Sequence, residues 1–249
     1  MRLLQGGDIM VVVADYHMHT KYSGDSKNEL EAIVKEAIDK GLTEIAITDH
    51  GPAHNGYGIK KSNYPLLRAD IDRLNIKYPQ INILLGLEAN LLGTDGRIDI
   101  DDDMWQMIDW VNAGYHFGSN LSHDFMLHLY NILSRFSKHF FEKAKSNNTK
   151  SMIAAMQNNK INMLTHPGAK GPIDIDAVAK VAAEVGTLLE INNSHGHLTI
   201  EEIKIAMKYP VKFACCSDAH EINKVGSVEN ALDRAYIAGV TAEQIYNVK

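Results

Sequence analysis

Six of the 12 histidines in this chain fall in short strings that also hold carboxylates. The strings are His17-Met18-His19, Asp49-His50, Glu88, His116, His166-Pro167, and Ser217-Asp218-Ala219-His220. Neutral imidazole and ionised carboxylate are the donors that Zn²⁺, Mn²⁺ or Fe²⁺ accept. His17 and His19 stand at i and i+2, so on an extended strand they face the same way. Gathered without a cation, such groups are poorly solvated and repel one another once charged. Metal ions remove both costs. A polar rim built to bind a sugar does not need this many imidazoles.

Each string follows a run that reads as a strand. The candidates are Val11–Tyr16, Glu44–Thr48, Ile81–Leu87, Ile108–Tyr115, Ile161–Thr165, Thr187–Ile191 and Val211–Cys216. Short, nearly continuous apolar runs fit parallel strands buried on both faces. Helical segments alternate with them. Ser26-Lys27-Asn28-Glu29 reads as a capping box, followed by Leu30, Ile33, Val34, Ala37 and Ile38 on one face and a stop at Gly41. Further helices are expected over Pro65–Lys77, Thr149–Asn158, Ile175–Glu184, Thr199–Lys208 and Ser227–Ala238. Alternating strands and helices mean right-handed βαβ units, in an open sheet or a barrel. In a barrel all strand C-termini open on one face, so distant strings converge there. Gly86, Gly114 and Gly168 sit beside them, where the backbone must turn tightly.

The composition is that of an ordinary globular domain: 249 residues, 45% hydrophobic and 22% charged, with a formal net charge of −6. That charge disfavours nucleic acid as the main partner. The longest apolar runs, such as Ile9 to Ala14, fall far short of the roughly 20 residues that span a bilayer. No signal peptide is read at the start of the chain. The two cysteines, Cys215 and Cys216, are adjacent; they read as small buried side chains and fit a reducing cytoplasm. One domain over 1–249 is expected, with a frayed leader at 1–9 and a helical insertion at 120–145. Phe125, Leu129, Ile132, Leu133, Phe136, Phe140 and Phe141 give that insertion a large apolar face. It reads as a lid, or as a contact in a homo-oligomer. His123, His128 and His139 on it read as surface or packing residues.

The strings resemble those of the polymerase-and-histidinol-phosphatase (PHP) superfamily. The matching segments are Asp15-Tyr16-His17-Met18-His19-Thr20, Ile47-Thr48-Asp49-His50-Gly51-Pro52, Gly86-Leu87-Glu88-Ala89-Asn90, Ala113-Gly114-Tyr115-His116, Thr165-His166-Pro167-Gly168, Leu189-Glu190-Ile191-Asn192-Asn193 and Ser217-Asp218-Ala219-His220. The set looks closest to the stand-alone small phosphatases. The resemblance implies a distorted (β/α)₇ TIM-like barrel with three divalent transition-metal ions, zinc first, with manganese or iron as alternatives. It implies His17, His19, Glu88 and Asp218 around one ion, Glu88 bridging to a second that adds His116 and His166, and Asp25, His50 and His220 around a third. Asp25 also reads as a turn residue.

A metal-dependent phosphomonoesterase follows, with a histidinol-phosphatase-like activity among its readings and a small phosphorylated substrate. Three divalent ions against three carboxylates leave a local charge of about +3, which draws a dianionic phosphate. The ligands supply about ten bonds where tetrahedral coordination of three ions needs about twelve. The open positions suit phosphate oxygens and a hydroxide that attacks in line. Glu88, Asp218 and His195 are the candidate catalytic residues, and Lys170, His195 and His197 the candidate substrate contacts. Glu190 is left to an orienting role. Two other classes compete. An amidohydrolase or deaminase also begins with His-x-His on a barrel strand, though it wants a bridging Lys after a middle strand. A non-catalytic metal-bound module is the third reading.

Overall fold

The computed structural model describes residues 2–5, 8–119 and 125–249, with side chains from residue 10 onward. The strands are β1 (Arg2–Gln5), β2 (Asp8–Val11), β3 (Ala14–Asp15), β4 (Glu44–Ile47), β5 (Asn82–Leu92), β6 (Arg97–Ile98), β7 (Trp110–Gly114), β8 (Met163–Leu164), β9 (Leu188–Asn192) and β10 (Phe213–Cys216). The α-helices are α1 (Leu30–Asp39), α2 (Tyr64–Lys77), α3 (Asp102–Trp105), α4 (Phe125–Leu133), α5 (Lys138–Asn158), α6 (Ile175–Val185), α7 (Ile200–Ala206) and α8 (Glu229–Ala238).

Seven parallel strands lie in the order β3-β4-β5-β7-β8-β9-β10. This is the distorted (β/α)₇ barrel. The gap between β3 and β10 is closed by side chains and one bridge rather than by a ladder. Met18 pairs with Ala219 in a parallel bridge, with His19 N–H donating to Ala219 O at 3.0 Å. Beneath it, the buried Asn247 carboxamide donates to the carbonyls of Ala14 (2.8 Å) and Cys215 (2.7 Å) and accepts from Cys215 N–H at 3.0 Å. The buried Asp15 carboxylate accepts from Ser217 N–H at 3.2 Å. The Asn247 carboxamide and the Asp15 carboxylate thus satisfy backbone groups that have no ladder partner across the seam.

Side chains inside the barrel alternate along each strand. Ala14, Tyr16, Ala46, Leu84, Trp110, Met163, Leu188, Ala214 and Cys216 form one apolar layer drawn from all seven strands. The Tyr16 and Trp110 rings stack with centroids 4.2 Å apart. Both cysteines are buried and free. A larger cluster lies between the outer strand faces and the helices, including Ile33, Val34 and Ala37 of α1 and Leu67, Ile71 and Leu74 of α2. Moving up the bore by even steps, Leu84 gives way to Glu88, Trp110 to Asn112 and His116, Leu188 to Glu190, and Cys216 to Asp218. The apolar layer is therefore the floor of the polar mouth.

Three sequence expectations are corrected here. Arg2–Gln5 pairs antiparallel with Asp8–Val11, so the described residues of the stretch expected to be frayed are strand. The Ser26–Glu29 capping box is absent: Glu29 caps α1 without a side-chain bond, and Ser26 Oγ donates to His19 O at 3.0 Å. Glu29 instead pairs with Lys21. A capping box does form at Thr199 and Glu202, ahead of α7. β5 runs past its expected end at Leu87 and pairs with β6 through Leu91 and Leu92.

In the region expected as an insertion, α4 and the first part of α5 form a helix pair; 120–124, with His123, lies outside the described residues. No helix of the described residues is long and apolar enough to cross a membrane.

Candidate metal centre

The seam interleaves two ligand strings. The Met18–Ala219 bridge sets His17 and His19 of the first strand beside Asp218 and His220 of the last. A second parallel bridge, His50–Glu88, joins the next two. Gly51 N–H donates to Glu88 O at 2.9 Å and Glu88 N–H to Asp49 O at 3.0 Å. His116 and His166 enter from β7 and β8.

Glu88, fully buried, lies at the centre of the cluster. Its Oε1 is 3.3 Å from His17 Nε2, 3.2 Å from His116 Nε2 and 3.0 Å from His166 Nε2. Its Oε2 is 2.8 Å from His50 Nδ1 and 3.8 Å from His19 Nε2. Asp218 Oδ1 lies 3.5 Å from His17 Nε2 and 3.3 Å from His19 Nε2. On the outer side, Asp25 Oδ2 stands 3.2 Å from His50 Nε2 and 3.3 Å from His220 Nε2. Two ligands at about 2.1 Å from one tetrahedral ion stand about 3.4 Å apart. The structure thus brings all nine expected ligands to one rim, Asp25 included.

The donor atoms fit a metal on a second count. His17 Nε2, His19 Nε2, His50 Nδ1, His116 Nε2 and both Glu88 oxygens are buried without a hydrogen-bond partner. Orphaned buried polar atoms are costly, and so many aimed at one place need a shared partner. The far side of most rings is fixed. His17 Nδ1 is 2.7 Å from Glu190 Oε1, His19 Nδ1 3.3 Å from Ser23 Oγ, His116 Nδ1 2.9 Å from Asn90 Oδ1 and His220 Nδ1 3.0 Å from Asp218 O. A ring that donates from Nδ1 keeps its Nε2 lone pair for an ion.

For His116 the tautomer follows from a relay. Asn90 Nδ2 donates to Asp99 Oδ2 (2.6 Å) and Gly51 O (3.2 Å), both acceptors, so its Oδ1 must face His116. Asp99 also accepts from Asn90 N–H at 2.7 Å and Ala53 N–H at 2.9 Å. Burial pushes the Asp99 carboxyl up, against these three donors. A Cβ at Gly51 would sit 2.3 Å from Asp99 Oδ2, so only glycine admits the carboxylate there. One half-buried acid thereby ties the loop after β4 to β5 and, through Asn90, to His116 after β7. Glu190 does comparable work opposite: its second oxygen accepts from His166 N–H at 2.5 Å, where His166 takes φ 29. Asp218 also sits in the left-handed region, at φ 53. Such backbone is strained for non-glycine residues and persists only when surroundings enforce it.

The charges are mutually set. Burial opposes ionisation of Glu88, yet His116, His17 and His50 hold its carboxyl well below the usual range. Burial likewise opposes ionisation of Asp218, which His17 and His19 outweigh. His19 and His116 are pushed down by burial, to about 3 and about 4. Burial also lowers His50, but Glu88 and Asp25 lift it to about 10. Two imidazoles are therefore poised neutral, as ligands must be.

A cleft of about 690 Å³ opens above these groups. His195 and Lys170 line it, with His195 Nε2 3.3 Å from Asp218 Oδ2. His197 does not. Its ring turns to Glu202 (3.7 Å) at the start of α7, because its carbonyl is taken by Asn192 N–H and the Arg234 guanidinium. Nor does any described residue of 125–145 line the cleft, so α4 and α5 do not cover it as a lid. His128 is instead buried between Tyr115 OH and Ser119 O, 2.7 Å from each, and His139 is exposed. Sequence reading missed Asp99, Lys224, Tyr57 and Phe117. Only Asn90, two residues beyond Glu88 on one strand face, carried a signal.

The chain matches the PHP domain family model over residues 15–207. It is 32% identical to "Probable phosphatase YcdX" of Escherichia coli O81 (strain ED1a), over 94% of this chain and 89% of the relative. A probable phosphatase of Syntrophotalea carbinolica is 29% identical, over 94% and 90%. Among solved structures, histidinol phosphate phosphatase of Lactococcus lactis subsp. lactis, complexed with zinc, L-histidinol and phosphate, superposes with a TM-score of 0.64 at 18% identity, over 92% of this chain and 94% of that one. Over most of its length, from the first ligand string to α7, this chain belongs to the PHP domain family.

Proposed function

We propose that the chain is a metal-dependent phosphoesterase, a hydrolase that cleaves small phosphomonoesters. The observation that carries this reading is the set of orphaned, inward-facing imidazole and carboxylate atoms at the floor of an open cleft. His17, His19, Glu88 and Asp218 would hold one divalent ion, Glu88 with His116 and His166 a second, and Asp25, His50 and His220 a third. Zinc is the first choice, as in the Lactococcus lactis complex, with manganese or iron as alternatives. Ions held there supply Lewis acidity and neutralise charge on a phosphoryl group.

The chain's own residues do the rest. Glu88 and Asp218, kept ionised by their neighbours, fix the ligand geometry. Glu190 and the Asp99–Asn90 pair hold His17 and His116 in the right tautomer. Lys170 offers a cation to the substrate. His195, within reach of Asp218, gives a proton to the leaving oxygen as the P–O bond breaks and water adds to phosphorus. His197 stands off the cleft and has no such role. The chain is read as one domain over 1–249. Copies of it are proposed to meet through the exposed Phe125, Met126 and Ile132 of α4, Phe136 in the turn after it and Phe141 of α5; a monomer by sedimentation overturns that contact.

Purified protein is expected to carry close to three equivalents of transition metal, to hydrolyse an aryl phosphate, and to lose activity to a chelator. Metal-loaded protein that cleaves amides but no phosphate ester would favour the amidohydrolase reading. One that binds metal and cleaves neither would favour the non-catalytic module.

A further inference from the structure

Two cations at the mouth are not used by the ligand set. Lys170, after β8, and Lys224, after β10, both line the cleft. Among the described residues, neither ε-ammonium has an ion-pair or hydrogen-bond partner. Around the rim they flank the loop after β9, whose Asn193, Ser194 and His195 also line the cleft.

Both lysines sit on braced backbone. Lys40 Nζ donates to Asn223 O at 3.0 Å, Val225 O at 2.6 Å and Ser227 Oγ at 3.2 Å, gripping the chain on either side of Lys224. Gly226 N–H donates to buried Asp15 at 2.9 Å. On the other side, Asn131 of α4 and Asn148 of α5 bond each other reciprocally at 3.0 and 2.8 Å, and Asn148 donates to Pro172 O at 2.9 Å. A Cβ at Gly171 would lie 2.2 Å from Asn131 Oδ1, so this loop presses against that amide pair. The region expected to be a lid is the brace for Lys170. Glu221 is the acid of the rim outside the ligand set, and it forms no ion pair with either lysine.

With His195 protonating the leaving oxygen as proposed above, the alcohol part of the substrate would face the loop after β9, whose cleft is also lined by Lys170 and Lys224. A neutral alcohol would leave both ammonium groups without a counter-charge, and a cationic one would be repelled. We propose that Lys170 and Lys224 form a second anion subsite on the leaving-group side of the cleft, so that preferred substrates are phosphomonoesters whose alcohol carries another phosphate or a carboxylate. This rests on the phosphoesterase reading above.

The test compares kcat/KM of the metal-loaded protein for four esters: a neutral alkyl phosphate, its carboxylate-bearing analogue, the corresponding diol bisphosphate and an amino-alcohol phosphate. One anionic ester is expected to exceed the neutral one by about tenfold or more, with the amino-alcohol ester below both. Whichever anionic ester leads identifies the second group as phosphate or carboxylate. Lys170→Ala and Lys224→Ala should each cut the anionic-to-neutral ratio by about tenfold, mostly through KM, and Lys224→Glu more. A ratio near one, a ratio unmoved by both alanine variants, or preference for the amino-alcohol ester overturns the proposal. Calorimetric binding of an alkane bisphosphonate is the second arm. If no ester is hydrolysed, the phosphoesterase reading fails; weaker bisphosphonate binding by both variants would still support the subsite, and undiminished binding would sink it.

Discussion

The floor and the mouth of the barrel are built from the same seven strands and the same alternation, and they solve opposite problems. On the floor, Tyr16 stacks on Trp110, Met163 meets Cys216 at 3.9 Å, and the polar edge of Trp110 is satisfied by Asn112 Oδ1 at 2.7 Å. One layer higher, six buried donor or acceptor atoms of His17, His19, His50, His116 and Glu88 have no hydrogen-bond partner. The floor is complete by itself, and burial of its apolar surface stabilises the fold. The mouth is complete only with cations. It is held against its own repulsion by the floor below and by Glu190, Asn90 and Asp99 around it. Stability and chemistry are thus separated by a rise of a few residues along each strand.

The largest break in that contrast should come from Glu88→Gln. Because this carboxylate touches imidazoles of more than one ion group, the variant should lose affinity for two metal equivalents at once, and activity by about three orders of magnitude. Loss of only one ion by elemental analysis would contradict a bridging role. Trp110→Ala should do the reverse. It should cost about 3–5 kcal/mol of stability by denaturant unfolding, while protein that stays folded keeps its metal content. Coupled loss of metal under native conditions would show that floor and mouth are not separable.

Asp99→Asn sharpens the comparison from the side. An amide there must turn a donor toward one of the three N–H groups that Asp99 accepts, which loosens Asn90 and frees the His116 ring. Affinity for the ion near His116 should fall about 10- to 100-fold, with the His17, His19 and Asp218 ion less affected. Uniform weakening of all ions would mark a general structural role instead. His197→Ala should be the mildest change, moving kcat/KM by no more than about twofold, since its ring faces Glu202. A larger loss would return His197 to the cleft.

The seven barrel strands and the nine side chains that converge at the rim were legible in the sequence because both rest on local rules. A strand announces itself by a short apolar run, and its C-terminal end in a barrel has one place to go. Leu30, Ile33, Val34 and Ala37 gave α1 for the same reason. The misreadings share a cause. The Ser26–Glu29 string has the right spacing for a capping box, but the Ser26 hydroxyl is taken by the His19 carbonyl, which only the folded seam brings near. His197 looked like a mouth residue by its spacing from His195, and the turn between them sends it to Glu202. Asp99 follows β6 with no motif, and its partners, Asn90 of β5 and Ala53 after β4, lie nine and 46 residues away.

The strands, their alternation with helices and the imidazole and carboxylate side chains at the strand ends were therefore set by the sequence itself, because hydrophobic periodicity and donor chemistry act over a few neighbouring residues. Which ring nitrogen faces inward, which acids support rather than ligate, and which lysines share the cleft were decided only by the closed barrel. Those properties depend on hydrogen-bond geometry between groups far apart in the chain, and no local pattern encodes the distance at which two such groups will meet.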